Sequence, residues 1–207
     1  MTTVDATSRP KRSYDPQLVR TRILDAAASA YQSNGYHSTS MHDVMRLTGL
    51  SGGALYHHFP TKKALGLAVI RERVSRGVAN TWIEPLRSSE GTARALRRVF
   101  DDVIGDLDER VTVRGCPLTN LALELSLADP EFREAVHAIF EGWRSAIAER
   151  VHADQSRGAL AHLDAGDFAT FVVALFSGAM GLAKAAQNTA PLKSCVREIE
   201  RVMATAT

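Results

Sequence analysis

The chain has 207 residues, of which 45% are hydrophobic and 23% charged, with a formal net charge of only +2; it is long enough for one or two domains with a sizeable core. No apolar run approaches the ~18 residues of a membrane span, and the N-terminus lacks the apolar stretch of a signal peptide. Cys116 and Cys195 stand too far apart to suggest a disulfide framework or a metal-ligand spacing. A cytoplasmic protein with no membrane partner, no metal and no cofactor is expected. Charge is unevenly placed: residues 1–80 carry 11 Lys+Arg against 5 Asp+Glu, and residues 81–207 carry 14 against 18. A basic first part suits a polyanion, although such an excess taken alone describes a solvated face.

Residues 1–15 are polar and carry Arg9, Lys11 and Arg12. They read as a disordered basic arm, either one that reaches into a minor groove or along phosphates, or a plain floppy terminus. A first helix is predicted from Pro16 to Ser33, with Pro16 at the first helical position. Leu18, Ile23, Ala26, Ala27, Ala30 and Tyr31 make its inward stripe, Asn34-Gly35 ends it, and Tyr36 plugs the core it helps to form.

Ser40 to Phe59, SMHDVMRLTGLSGGALYHHF, reads as two short helices joined by a tight turn. Ser40 is a good N-cap, and Asp43, three residues on, makes an acidic version of the capping box. Met41, Val44, Met45 and Leu47 give the first helix an apolar face. Gly49 can take the positive φ that ends it without steric cost. Ser51 caps the second helix at once, and Ala54, Leu55 and Phe59 form its inner side. This is the arrangement of a helix-turn-helix, in which the second helix enters the DNA major groove.

Pro60 stops that helix and Thr61 caps the next, with Lys62 and Lys63 in its first turn. Two lysines there oppose the macrodipole, and a phosphate would offset them. The helix is expected to run through Leu65, Val69, Val74 and Val78 to about Ile83, where Glu84-Pro85 interrupts it, so that a first domain covers residues 16–84.

A second domain, residues 85–207, is expected to be helical as well, with helices at Thr92–Leu107, Leu118–Ala128, Pro130–His152, Asp164–Gln187 and Pro191–Met203. No strand pattern appears, and the fold class is all-α. The helix at Asp164–Gln187 is apolar almost all round and must be covered on every side. Either it is the buried centre of a monomer, or it joins the last helix in a four-helix dimer interface. The predicted interface residues are Phe168, Val172, Leu175, Ala179, Leu182, Val196 and Ile199, with Gly178 and Gly181 allowing close approach.

Gly35-Tyr36, Thr39-Ser40 and the run LTGLSGGALYHHFPTKKAL (Leu47 to Leu65) keep a common spacing, and from about Leu18 to Ile70 the chain resembles the DNA-binding domain of the TetR/AcrR family of repressors. The resemblance implies an N-terminal three-helix head and a C-terminal helical domain that binds a small-molecule effector and forms a homodimer. It implies a one-component repressor on a pseudo-palindromic double-stranded operator, released by the effector or by modification of Cys116. It also carries Ser40, Tyr56, His57 and Lys62 to phosphate contacts. By position, Ser51, Gly52, Gly53 and Ala54 lie nearest the bases. The chain departs from the family at Gly52, where a lysine is common. Two glycines offer no donors and weaken the helix by up to ~1 kcal/mol each, but they let the backbone come close, leaving specificity to Ser51, Tyr56, His57 and DNA shape.

For the effector, Phe140, Trp143 and Phe176 offer apolar walls and Asn120 and Glu124 polar fixtures, a composition shared by ligand sites and by any helical core. Cys116 follows Arg114 at a helix start, where a helix N-terminus and a neighbouring cation favour a reactive thiolate. The Gly-Cys-Pro-Leu run, with Leu182-Ala183-Lys184 later, resembles a branch of the family that senses electrophiles or oxidants, with Lys184 taking part; the other reading of Cys116 is a small buried thiol. No Ser-His-Asp set, carboxylate pair, glycine-rich phosphate loop or ligand-spaced Cys/His set supports an enzyme. The alternative function is an interaction adaptor whose degenerate helix-turn-helix does not read DNA sequence.

Overall fold

Local caps set the first helices. The Asp15 carboxylate accepts from the backbone N–H groups of Gln17 (2.9 Å) and Leu18 (3.3 Å), which starts α1 (Pro16–Asn34), and Gly35 at φ 88° closes it. The computed structural model describes residues 15–204, so all of the expected basic arm (residues 1–15) except Asp15 lies outside the described residues. α2 (Met41–Thr48) and α3 (Gly52–His58) follow and close a three-helix head over Ile23, Leu24, Val44, Leu55 and Phe59. Two expected inward positions are corrected. Leu18 is 58% and Leu47 60% exposed, because adjacent residues point ~100° apart on a helix and their neighbours Val19 and Thr48 take the inner face.

The next helix, α4, is one rod over residues 62–88, in which α-helical segments alternate with two π-helical ones, Val69–Val74 and Ala79–Ile83. Glu84-Pro85 therefore does not end it, contrary to the sequence expectation. Proline removes an N–H and its ring crowds the carbonyl four residues back. The wider π-turn placed just before Pro85 shifts that pairing and makes room for the ring.

α5 (Thr92–Asp108), α6 (Pro117–Leu125), α7 (Pro130–Gln155), α8 (Ala165–Ala186) and α9 (Ala190–Ala204) complete the body. α7 packs on α8 and on α4, α5 and α6, and α9 lies across α8 and α5. The core is centred on Trp82 and Trp143, 4.6 Å apart, with Phe176 edge-on to both. Gly91 gives α5 no side-chain cap. Asp154 of α7, only 6% exposed, supplies one by accepting from Thr92 N (2.7 Å) and binding Arg150 (2.9 Å) and Arg157. Burial alone would raise the Asp154 carboxyl, but the hydrogen bonds from Thr92 and Arg150 outweigh it and hold it below the usual range.

Among the described residues there is no strand. α8 is long and apolar enough to cross a membrane, with mean hydropathy 1.6, so the expectation that no such segment exists is corrected. Asp167, Thr170, Ser177 and Lys184 interrupt the run without lowering its average enough. Its face bearing Phe168, Val172, Phe176 and Ala183 is buried in the bundle.

Candidate functional site

The capping box of α2 is complete. Ser40 Oγ accepts from Asp43 N (3.1 Å) and donates to Asp43 Oδ2 (2.6 Å), which also accepts from Ser40 N (2.9 Å). Those Ser40 bonds hold the Asp43 carboxyl below its ordinary value. Gly49, at φ 65°, ends the helix, and Arg22 donates to the last carbonyl, of Thr48 (3.0 Å). Ser51 then caps α3 by accepting from Ala54 N (3.3 Å). With Leu55 and Phe59 buried, Ser51, Gly53, Tyr56 and His57 are exposed along the outer side of α3, and Gly52 and Ala54 are half-buried. Neither glycine has a positive φ. A Cβ at position 53 would meet nothing within 4 Å, and one at 52 only Met45 Sδ at 3.4 Å. The fold requires a glycine at neither place.

The lysines at the start of α4, which a phosphate is expected to offset, also have partners within the chain. Lys63 bridges Asp129 (2.6 Å) and Glu131 (2.8 Å) at the N-terminus of α7. Lys62 donates to the His37 carbonyl (3.0 Å) and sits 4.5 Å from the Tyr36 ring centroid. Tyr36 itself packs edge-on against Phe132 of α7. Gly66 is needed here: a Cβ would lie 2.6 Å from Tyr36 Cε2. Glu124, near the end of α6, accepts from the backbone N–H groups of Tyr36 (2.8 Å) and His37 (2.5 Å). Residues 35–37 thus form one joint between head and body, beside the Lys63 ion pairs and the bond that Gln32 Nε2 donates to the Gly115 carbonyl (3.3 Å).

A cavity of about 520 Å³ lies behind this joint, between α1, α4, α5, α6, α7 and α8. Trp82, Trp143 and Phe176 form its aromatic wall, Cys116, Leu118 and Asn120 come from α6 and its cap, and Tyr31 comes from α1. Tyr31 Oη and Trp143 Nε1 are buried without a hydrogen-bond partner among the described residues.

A family model for the LmrA/YxaF-like transcriptional regulator C-terminal domain matches residues 92–198, just over half of the chain, and that for bacterial regulatory proteins of the tetR family matches residues 23–69. The chain belongs to the TetR family of transcriptional regulators. The regulator is 28% identical over 181 residues to an uncharacterized HTH-type transcriptional regulator in the lacX 3' region of Lactococcus lactis subsp. lactis, covering 87% of this chain and 91% of that one. It is 26% identical over 187 residues to the HTH-type transcriptional regulator LmrA of Bacillus subtilis, covering 87% and 95%. The crystal structure of a TetR transcriptional regulator from Chloroflexus aurantiacus matches it with a TM-score of 0.82 at 28% identity, covering 92% of this chain and 96% of that one. Like the family, the regulator is a DNA-binding protein with a helix-turn-helix head and a ligand-binding C-terminal domain.

In the regulator, Cys116, Asn120, Trp143 and Phe176 lie together on the cavity wall, whereas Glu124, Phe140 and Lys184 do not. Glu124 is committed to the head. Phe140 stacks behind Trp143, at 6.4 Å and 10°. Lys184 is exposed and abuts Gly115 from outside. The predicted dimer residues divide. Phe168, Val172, Ala179, Val196 and Ile199 are buried within their own chain. Leu175 is half-buried and Leu182 is 63% exposed. The outward stripe of α8 runs through Phe171, Ala174, Gly178 and Leu182. Tyr31 and Trp82 were not anticipated as cavity residues. The spacing of four through Val74, Val78 and Trp82 marks the inner face of α4 and would have found the latter.

Proposed function

We propose that the regulator is a cytoplasmic homodimeric repressor, without enzymatic activity, that releases a pseudo-palindromic operator when a small molecule enters the cavity. Ser51, Gly52, Gly53, Ala54, Tyr56 and His57 face the groove and its phosphates, with Ser40 and Lys62 at the margin. The outward stripe of α8 carries the dimer contact, and its small residues let two copies of the helix approach closely.

One observation carries this reading: α6 lines the cavity at Cys116, Leu118 and Leu121 and grips the head through Glu124 at its other end. An occupant that displaces α6 pulls on residues 36 and 37 and so alters the spacing of the two heads. Such coupling is reciprocal, so the operator also weakens effector binding by the same factor. Cys116 is buried on the wall, which favours a reversible occupant over reaction at the thiol.

The test is titration of the purified protein onto the DNA flanking its own coding sequence, with an unrelated duplex as competitor. One dimer per site, retained against competitor and lost in Tyr56→Ala, is expected. Equal distribution between the two duplexes, or retention unaffected by Tyr56→Ala, overturns the reading.

A further inference from the structure

The cavity that the proposed function treats as the effector site holds clues to the chemistry of its occupant. Trp143 is fully buried and Tyr31 is 3% exposed, yet the indole N–H and the phenol hydroxyl have no partner among the described residues. Buried polar atoms left unpaired are costly, and a cavity of this size allows water or a ligand atom to serve them. An indole N–H is only a donor. Burial raises the Tyr31 phenol well above its ordinary value, so it too keeps its proton. The indole therefore requires an acceptor, and the phenol has a proton to give to one.

The charged lining residues are Arg73, Asp106, Arg110 and Arg114. Arg73 is paired with Asp25 (2.6 Å) and Arg110 with Asp106 (2.5 Å). Arg114, which is exposed to solvent, has no ion-pair partner for its guanidinium among the described residues and leaves one uncompensated positive charge where the lining meets water. The wall between is aromatic, with Trp82 and Phe176 4.8 Å apart.

We infer that the cavity takes an aromatic monoanion: its rings lie on the Trp82–Trp143–Phe176 wall, a carbonyl oxygen within it accepts from the Tyr31 hydroxyl, and its acidic group meets Arg114. This inference rests on the proposed effector site and deepens it. Water that serves the hydroxyl in the free protein leaves when the carbonyl arrives, so the hydroxyl exchanges one acceptor for another.

Three probes separate the parts: 4-benzoylbenzoate, which has rings, ketone and carboxylate; 4-benzylbenzoate, which lacks the ketone; and the methyl ester of the first, which lacks the charge. Calorimetry on the full chain without DNA gives the affinities. Trp82 and Trp143 are the two tryptophans of the chain and both line the cavity, so a change in their emission reports occupancy independently. The keto acid is expected to bind once per protomer, at least ~5-fold more tightly than either control. Tyr31→Phe is expected to weaken the keto acid and leave 4-benzylbenzoate unchanged, with no loss of melting temperature in the free protein. Arg114→Gln is expected to remove the preference for acid over ester. Equal binding of the three probes, no binding of any, or a melting temperature lowered by Tyr31→Phe overturns the inference. If the probes fail while operator DNA is still bound, the inference falls and the regulator stands; if the probes bind and no DNA does, the reverse holds.

Discussion

At the scale of the residue, the most telling positions are those where the side chain is not dictated by packing. Gly53 has a helical backbone and open space where a Cβ would be. Gly53→Ala is expected to stabilise the free protein by up to ~1 kcal/mol, the usual helical difference between the two residues, and to weaken operator binding, since a methyl group then stands between backbone and groove. Melting temperature and operator affinity, measured on the same variant, should move in opposite senses. Asp154 is the opposite kind of position. Asp154→Asn leaves Arg150 with half its partner and is expected to cost about 2–4 kcal/mol, read by denaturant unfolding. Its pH dependence has a definite sign. Asp154 is held below its ordinary range, and so is Glu72, through its hydrogen bonds with Arg20. Each contributes stability that is complete above the unfolded values near ~4 and is lost as pH falls through the lowered folded values. A melting curve against pH should therefore fall steeply below about pH 4, and less steeply in Asp154→Asn. The caps at Ser40, Gly49 and Ser51 are legible in the sequence because each acts within three residues of itself. The partners of Lys63 are not: Asp129 and Glu131 stand more than sixty positions away, and nothing local announces them.

At the scale of the element, periodicity shows an inner face only where the outer face is polar. α5 alternates clearly, and its buried residues Ala95, Leu96, Val99, Phe100 and Ile104 fall on one helical stripe. α8 is apolar all round, so the same reasoning has nothing to orient it, and three of the five proposed dimer residues on it, Phe168, Val172 and Ala179, turn inward. α4 misleads for another reason: a proline that ends an ordinary α-helix is carried by a π-turn, which leaves no mark in composition. The outward stripe of α8 makes its own prediction. Leu182→Glu places a charge on the proposed contact and is expected to convert the dimer to monomer and to reduce operator affinity at least ~10-fold. Sedimentation together with DNA titration checks both; a dimer that persists moves the interface elsewhere. α6 makes another. Glu124→Gln keeps the size of the side chain and weakens the acceptor for Tyr36 and His37. Hydrogen exchange at those two amides should accelerate without a change at the buried amides of α7. Unchanged exchange would mean that the joint does not depend on this carboxylate.

At the scale of the whole molecule, a basic head and an acidic body are held together by contacts at residues 35–37 and by the rod α4, which begins in the head and ends against the aromatic core. α1 is tied to α4 by Arg20–Glu72 and Arg73–Asp25, so a shift of the rod carries α1 with it. The cavity sits where both connections start. That arrangement lets one small occupant bias the position of a whole head, provided that it binds the two head positions with different affinity. The central claim, that the exposed side of α3 delivers the head to a phosphate-lined groove, is tested most directly by operator affinity as a function of salt. A head that neutralises roughly 6–10 phosphates loses about 10³–10⁵ in affinity between 50 and 200 mM salt. The expected result is a fall of that order for the wild-type dimer, with the operator preferred over an unrelated duplex throughout. An affinity that hardly changes over this range, or one equal for both duplexes, would contradict it.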